Sequence, residues 1–154
     1  MAEPRWLDSD QQRDWRAFID GSLRLAEALE HDLKTRHGLS MAEYEIMVRL
    51  SEAPDRTLRM AELAAYASQS RSRLSHTVTR LERAGLVDRQ ACADDKRGVQ
   101  AVLTDKGFDT LKHAAPSHVE AVRDLFVDVV TPGDLTAIGH AFRSVLTRLD
   151  ERET

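Results

Sequence analysis

The segment from Ser68 to Thr104 leaves a chain of this length few ways to fold. Its first half, SRSRLSHTVTRLERAG from Ser70 to Gly85, spaces Leu74, Val78 and Leu81 by four and three, which gives one buried stripe on an amphipathic helix. The other faces carry Arg71, Ser72, Arg73, Ser75, His76, Thr79, Arg80 and Arg83, with Glu82 the sole acid. Such side chains are donors and acceptors for phosphates and base edges. Gly85 stands as the C′ residue that stops the helix. Leu86–Cys92 and Val99–Leu103 then read as short strands, joined by the charged tip ADDKRG, Ala93 to Gly98. A helix-turn-helix followed by such a hairpin is a winged helix, here bounded by residues 40–104.

The flanking sequence is helical. Gln11 to Arg36 carries Trp15, Phe18, Ile19, Ala26, Leu29 and Leu33 on one stripe, and His37-Gly38 ends it. Ser40-Met41-Ala42-Glu43 is a capping box, with Leu39 and Tyr44 placed as a hydrophobic staple. The helix it opens runs to about Ala53 and stops before Pro54. Leu58–Met60 reads as a short strand, and Ala61–Ala67 as the first helix of the helix-turn-helix. Thr104 caps a long helix from Asp105 to about Val130, which Pro116 should bend or weaken by one turn. Thr131, with Pro132 behind it at the first helical position, opens the last helix. The expected class is mainly α with a small β-wing: one domain over 1–154, in which 11–37 and 105–150 supply dimerisation helices.

The charge is segregated. The net charge is −4, yet Arg71, Arg73, Arg80 and Arg83 face Glu82 alone on the basic helix, while acids outnumber bases from Asp105 onward. A basic patch on an acidic body suits selective DNA binding. The N-terminus shows no apolar signal segment and no run is long enough to span a bilayer, so a cytoplasmic protein without membrane partners is expected. One cysteine, Cys92, excludes an internal disulfide and a cysteine-based zinc finger. His113 and His118 are five apart, off the three-or-four spacing that puts two ligands on one helical face, so no metal or other cofactor is expected. The competing class is an enzyme, and the chain lacks both a glycine-rich phosphate loop and a nucleophile elbow.

Leu135, Ile138, Phe142, Val145 and Leu149 alternate by three and four, the narrow stripe of helix-on-helix packing. With the stripe of the first helix, this is more apolar surface than a small winged helix can cover. Either the two stripes pack on one another within one chain or, the favoured reading, a two-fold homodimer covers them and presents two recognition helices to successive turns of DNA.

In this order the pieces resemble the multiple-antibiotic-resistance regulator (MarR) family of transcription factors over roughly Gln11 to Leu149. The sharpest matches are RLERAGLVDR (Arg80 to Arg89), DDKRG (Asp94 to Gly98) and LTDKG (Leu103 to Gly107). The resemblance implies a dimer on a pseudo-palindromic double-stranded operator, usually repressing, and often released by a small ligand. It implies that Ser70, Arg71, Ser72, Arg73, Ser75 and His76 enter the major groove, with Arg71 or Arg73 on a guanine and Arg80 and Arg83 on phosphate or in solvent. It implies further that Arg97 probes the minor groove and that Asp95 orients it. In the peroxide-sensing branch of the family the reactive thiol lies in the first helix, which has no cysteine here, so that redox role does not carry over to Cys92. For an aromatic carboxylate effector, Trp15, Arg16, Tyr44 and Met47 resemble the walls of a crevice; the same aromatic and methionine positions also read as plain core at helical spacing. A dimeric winged-helix interaction module without ligand response is the alternative function.

Overall fold

A computed structural model describes residues 3–66, 70–92 and 98–153, apart from the side chains of Tyr66, Arg71 and Glu153. The elements run α1 (Ser9–His37), α2 (Met41–Glu52), β1 (Thr57–Arg59), α3 (Met60–Tyr66), α4 (Arg71–Arg83), β2 (Val87–Ala91), β3 (Val99–Leu103), α5 (Asp105–Val122) and α6 (Pro132–Glu153). This is the expected class, mostly helical with a three-stranded antiparallel sheet in the order β1-β3-β2. The residues fall into two compact units, one of Ala26–His118 and one made of the chain before Ala26 and after His118.

The central unit holds the winged helix, and it extends past 40–104 at both ends. Leu33 at the end of α1 and Leu111 and Ala114 of α5 are buried in the same core as Ile46, Met47, Leu50, Leu63, Leu74, Val78, Leu81 and Val87. A small three-helix head and its sheet need these flanking apolar residues to close their interior. The capping box of α2 forms as the sequence indicates: Ser40 Oγ accepts from Glu43 N–H (3.2 Å), and Glu43 Oε2 accepts from Ser40 N–H (2.8 Å). Glu30 of α1 takes another exposed donor of that terminus, Met41 N–H, at 2.6 Å.

Beyond α2, Asp55 and Arg56 adopt left-handed backbone (φ 51° and 53°), which costs about 1–2 kcal/mol for each L-residue. Arg56 recovers part of this, with its guanidinium 3.8 Å from the Phe108 ring centroid and bonded to Asp105 Oδ1 at 3.1 Å. In the sheet β3 is central, pairing Leu58 with Ala101 on β1 and Arg89 with Ala101 on β2. Alternation along β3 sends Ala101 and Leu103 into the core.

The exit of the hairpin is bolted to the end of α4. Gly85 (φ 72°) ends that helix in the left-handed region, donating to Glu82 O (2.8 Å), while Leu86 N–H donates to Leu81 O (2.9 Å). Lys106 Nζ donates to Ala84 O at 2.7 Å, a cation on the negative end of the helix dipole. Thr104 N–H reaches Leu86 O (3.1 Å), and its hydroxyl donates to Gly85 O (2.8 Å) and accepts from Gly107 N–H (2.9 Å). Gly107 must be glycine, because a Cβ there would sit 2.1 Å from Leu86 O. The LTDKG string is thus one joint between recognition helix, wing and α5.

The second unit contains the start of α1, the end of α5 and α6. Asp8 and Gln11 cap α1 reciprocally: Gln11 N–H donates to Asp8 Oδ1 (2.8 Å) and Asp8 N–H to Gln11 Oε1 (3.1 Å). Tilted ring contacts run from Trp15 to Phe18 (5.5 Å) and from Phe18 to Phe142 (5.4 Å). Thr131 caps α6 as expected, accepting from Asp134 N–H at 3.2 Å. The expected helix to Val130 ends differently. α5 continues through Pro116, and the irregularity comes later as a π-helical turn over Arg123–Val127, closed by Asp128 N–H on Arg123 O (2.9 Å) and an Arg123–Asp128 ion pair (2.6 Å).

Candidate nucleic-acid interface

The recognition helix α4 starts at a hydroxyl cap: Ser70 Oγ accepts from Arg73 N–H at 3.3 Å. Leu74, Thr77, Val78 and Leu81 face the core, with the Thr77 hydroxyl satisfied on Arg73 O at 3.1 Å. Ser72, Arg73, Ser75, His76, Arg80 and Arg83 are exposed. The helix therefore has one greasy face that fixes it and a broad polar face that is left for a partner.

Two arginines grip its flanks. On one side Arg89 of β2 donates from Nη1 to Thr79 Oγ1 (3.1 Å) and to Glu82 Oε2, and from Nη2 to Ser75 O (2.8 Å) and Ser75 Oγ (3.3 Å). On the other side Arg80 Nε donates to Glu43 Oε1 at 2.9 Å, which ties α4 to the cap of α2. Burial pushes the Glu43 carboxyl up, but the bonds from Ser40 N–H, the Arg80 guanidinium and the Ser40 hydroxyl outweigh it and hold its pKa below the usual carboxylate value. Arg80 is thus committed to Glu43 through Nε while its side chain stays about half exposed. Ser70 and Ser75, expected as groove contacts, have hydroxyls already engaged as a cap and with Arg89. Ser72, Arg73 and His76 form an outward set, with Ser70 and Ser75 exposed beside them. Arg71 opens α4, and its side chain lies outside the described residues. Asp95 and Arg97 of the wing tip also lie outside them.

The sequence reading missed Arg89 and Glu43 as supports of the helix. The available signal was charge: Glu82 is the lone acid on a basic helix, and Arg89 follows it by seven residues on the strand that must pack beside it.

The proposed effector residues fall in both units. Trp15 and Arg16 are exposed on α1, Trp15 beside Phe18. Met47 has no accessible surface and belongs to the core, while Tyr44 is buried with its ring 4.5 Å from that of His118. Burial raises the Tyr44 pKa. His118 Nδ1 and Asp32 Oδ2 are buried without a hydrogen-bond partner among the described residues, and Asp32 Oδ1 pairs with Arg36 Nε at 2.8 Å. Burial lowers the His118 pKa against the pull of the Asp32 charge. Asp32 did not stand out in the sequence, and His118 did so only through its spacing from His113, since an orphaned atom shows only once neighbouring helices are placed.

Comparison with known proteins decides the family. A MarR family model matches residues 37–98, from the end of α1 to the wing tip. A MarR family transcriptional regulator of Streptomyces coelicolor, Sco3205, solved in complex with DNA, is 44% identical, covering 94% of this chain and 90% of its own, with a TM-score of 0.91. The chain belongs to the MarR family. Another Streptomyces coelicolor MarR family regulator, AbsC, is 42% identical over 96% of this chain and 99% of its own, with a TM-score of 0.92. The transcriptional repressor YetL of Bacillus subtilis is 26% identical over 140 residues, covering 84% of this chain and 82% of its own length. These MarR relatives are regulators rather than enzymes. Among the described residues, no helix is long and apolar enough to cross a membrane.

Proposed function

We propose that this MarR-family chain is a dimeric, sequence-specific repressor that reads double-stranded DNA with α4. The observation that carries this reading is the outward set Ser72, Arg73 and His76 on a helix whose buried face and both flanks are fixed to the rest of the unit. A preorganised donor face loses little freedom when it meets base edges. Asp95 and Arg97 extend the contact into the minor groove, Arg71 shares with Arg73 the reading of a guanine, and Arg80 and Arg83 add phosphate contacts. The DNA-bound Streptomyces relative supports the partner, and the Bacillus repressor supports the sign of regulation.

The second copy follows from the apolar stripe. Phe142, Val145, Leu146 and Leu149 are 40–51% exposed, and Val129 is 71% exposed, a patch that suits an obligate interface. A homodimer would place two copies of α4 on one face of a pseudo-palindromic operator, inside the cytoplasm where the DNA is.

An effector reading is favoured by one further observation: among the described residues the buried His118 Nδ1, whose ring lies 4.5 Å from that of Tyr44, and the buried Asp32 Oδ2 have no hydrogen-bond partner. A hydroxylated aromatic acid has the matching groups. Its carboxylate accepts from the imidazole, its hydroxyl donates to Asp32, and its ring packs on Tyr44, with Met47 behind. The deciding experiment is a gel shift on DNA from upstream of the chain's own gene, with and without phenolic acids. Selective retention supports the regulator, and release by an acid supports the effector. Equal affinity for random DNA sinks sequence-specific reading, and no binding at all leaves the dimeric interaction module.

A further inference from the structure

Arg89 belongs to the wing by sequence, on β2 opposite Ala101 of β3, yet its guanidinium is spent on α4. Its four side-chain bonds reach Ser75, Thr79 and Glu82, three residues spread over two turns of one flank of that helix. Its own N–H adds a fifth, to Glu82 Oε1 at 3.2 Å. The Ser75 carbonyl is shared with the Thr79 hydroxyl (2.8 Å), so the arginine closes a ring of bonds rather than touching one isolated acceptor. The side chain is 24% exposed and Glu82 32% exposed, which shields the pair from solvent more than a surface bridge.

We infer that Arg89 is a positioning residue for DNA reading: it sets the rotation of α4 about its own axis and locks that helix to the wing. This rests on the proposed role of α4 in the major groove. Rolling α4 outward by a fraction of a turn would move Ser72, Arg73 and His76 off the base edges while leaving the charge of the face unchanged. Arg89 makes no such roll possible without breaking bonds at two levels of the helix. A phosphate contact would behave differently. It would need donors turned to solvent, whereas both Nη atoms here are engaged by protein oxygens, and Glu82 already neutralises the cation. The fork of a guanidinium is required, because a lysine ammonium cannot hold a hydroxyl, a carboxylate and a carbonyl across two turns.

The test uses the full-length chain with Arg89→Lys, Arg89→Gln and Glu82→Gln, measuring fluorescence anisotropy on a retained upstream fragment and on a random duplex. The wild-type chain is measured first. If it fails to prefer the upstream fragment, the reading of α4 as a DNA reader falls, independently of Arg89. Given that preference, both Arg89 variants should lose about tenfold or more on the upstream fragment, roughly 1.4 kcal/mol, with random-duplex affinity unchanged. The slope of log affinity against log salt should also stay as in wild type. Glu82→Gln should show part of the loss, and its double variant with Arg89→Gln should be less than additive. Affinities are expressed per folded molecule from circular dichroism, and Arg89→Lys and Glu82→Gln carry the test if Arg89→Gln does not fold. Wild-type discrimination in Arg89→Lys would overturn the proposal. So would equal losses on both duplexes with a salt slope reduced by about one, the signature of a phosphate contact.

Discussion

Gly107→Ala isolates the joint that fastens α5 to the end of the recognition helix. The new Cβ would lie 2.1 Å from Leu86 O, 3.0 Å from Leu86 C and 2.7 Å from Leu103 Cδ1. The leucine methyl can rotate away. The carbonyl cannot, because it accepts from Thr104 N–H at 3.1 Å in the backbone that joins wing to helix. Relief therefore requires α5 to withdraw by about 1 Å or more, at an overpacking cost of about 1–3 kcal/mol. One of the Thr104 bonds is lost on the way, for about 1 kcal/mol more. The better helix propensity of alanine returns at most about 1 kcal/mol, so the net loss is about 1–3 kcal/mol. Urea unfolding followed by circular dichroism reads this as a lower midpoint at unchanged slope. Gly85→Ala is the control for mechanism. Its Cβ meets nothing closer than Lys106 Nζ at 3.8 Å, and it fails through the positive φ, at about 1–2 kcal/mol. Asparagine should recover part of the loss at Gly85 and none at Gly107. A Gly107→Ala variant as stable as wild type would refute the close-contact argument.

Arg73→Ala should cost about 1–3 kcal/mol on the cognate operator if its guanidinium reads a base, with a smaller loss on random DNA; equal losses would make it a phosphate contact. Phe142→Lys should convert a light-scattering mass of about twice 17.4 kDa to the single-chain value, and an unchanged mass would place the dimer surface elsewhere. Burial sets the folded pKa of His118 below its ordinary 6.5, so its stabilising contribution is complete above about pH 6.5 and is lost as pH falls through the folded value. His118→Gln should flatten the decline in the urea midpoint on acidification from neutral pH, and an identical decline in the variant would remove His118 from that response.

The elements that sequence made legible are those whose physics is local. Ser40 and Glu43 satisfy donors within one turn, and Thr131-Pro132 and Gly85 act on the helix ends they adjoin, so their patterns can be read in four residues. The stripe Leu74, Val78, Leu81 likewise follows from helical period alone. The Glu43–Arg80 and Arg89–Glu82 pairs were hidden because they join elements by tertiary placement, over 37 and 7 residues respectively. The division of α1 and α5 between two units was hidden for a related reason: Leu33 and Phe18 share one continuous apolar stripe, and only packing shows that Leu33 closes the winged-helix core while Phe18 meets Phe142. Pro116 drew attention by its missing donor, yet the irregular turn formed at Arg123–Val127, where no residue type announces it.

Hydroxyl-radical footprinting of the wild-type chain on a retained upstream fragment tests most directly whether two copies of α4 read one operator. Two protected patches should appear on one face of the duplex, related by two-fold symmetry and centred about one helical turn apart, roughly 34–36 Å. A single protected half-site, or uniform protection along the fragment, would contradict the dimeric reader built here from α4 and its two flanking arginines.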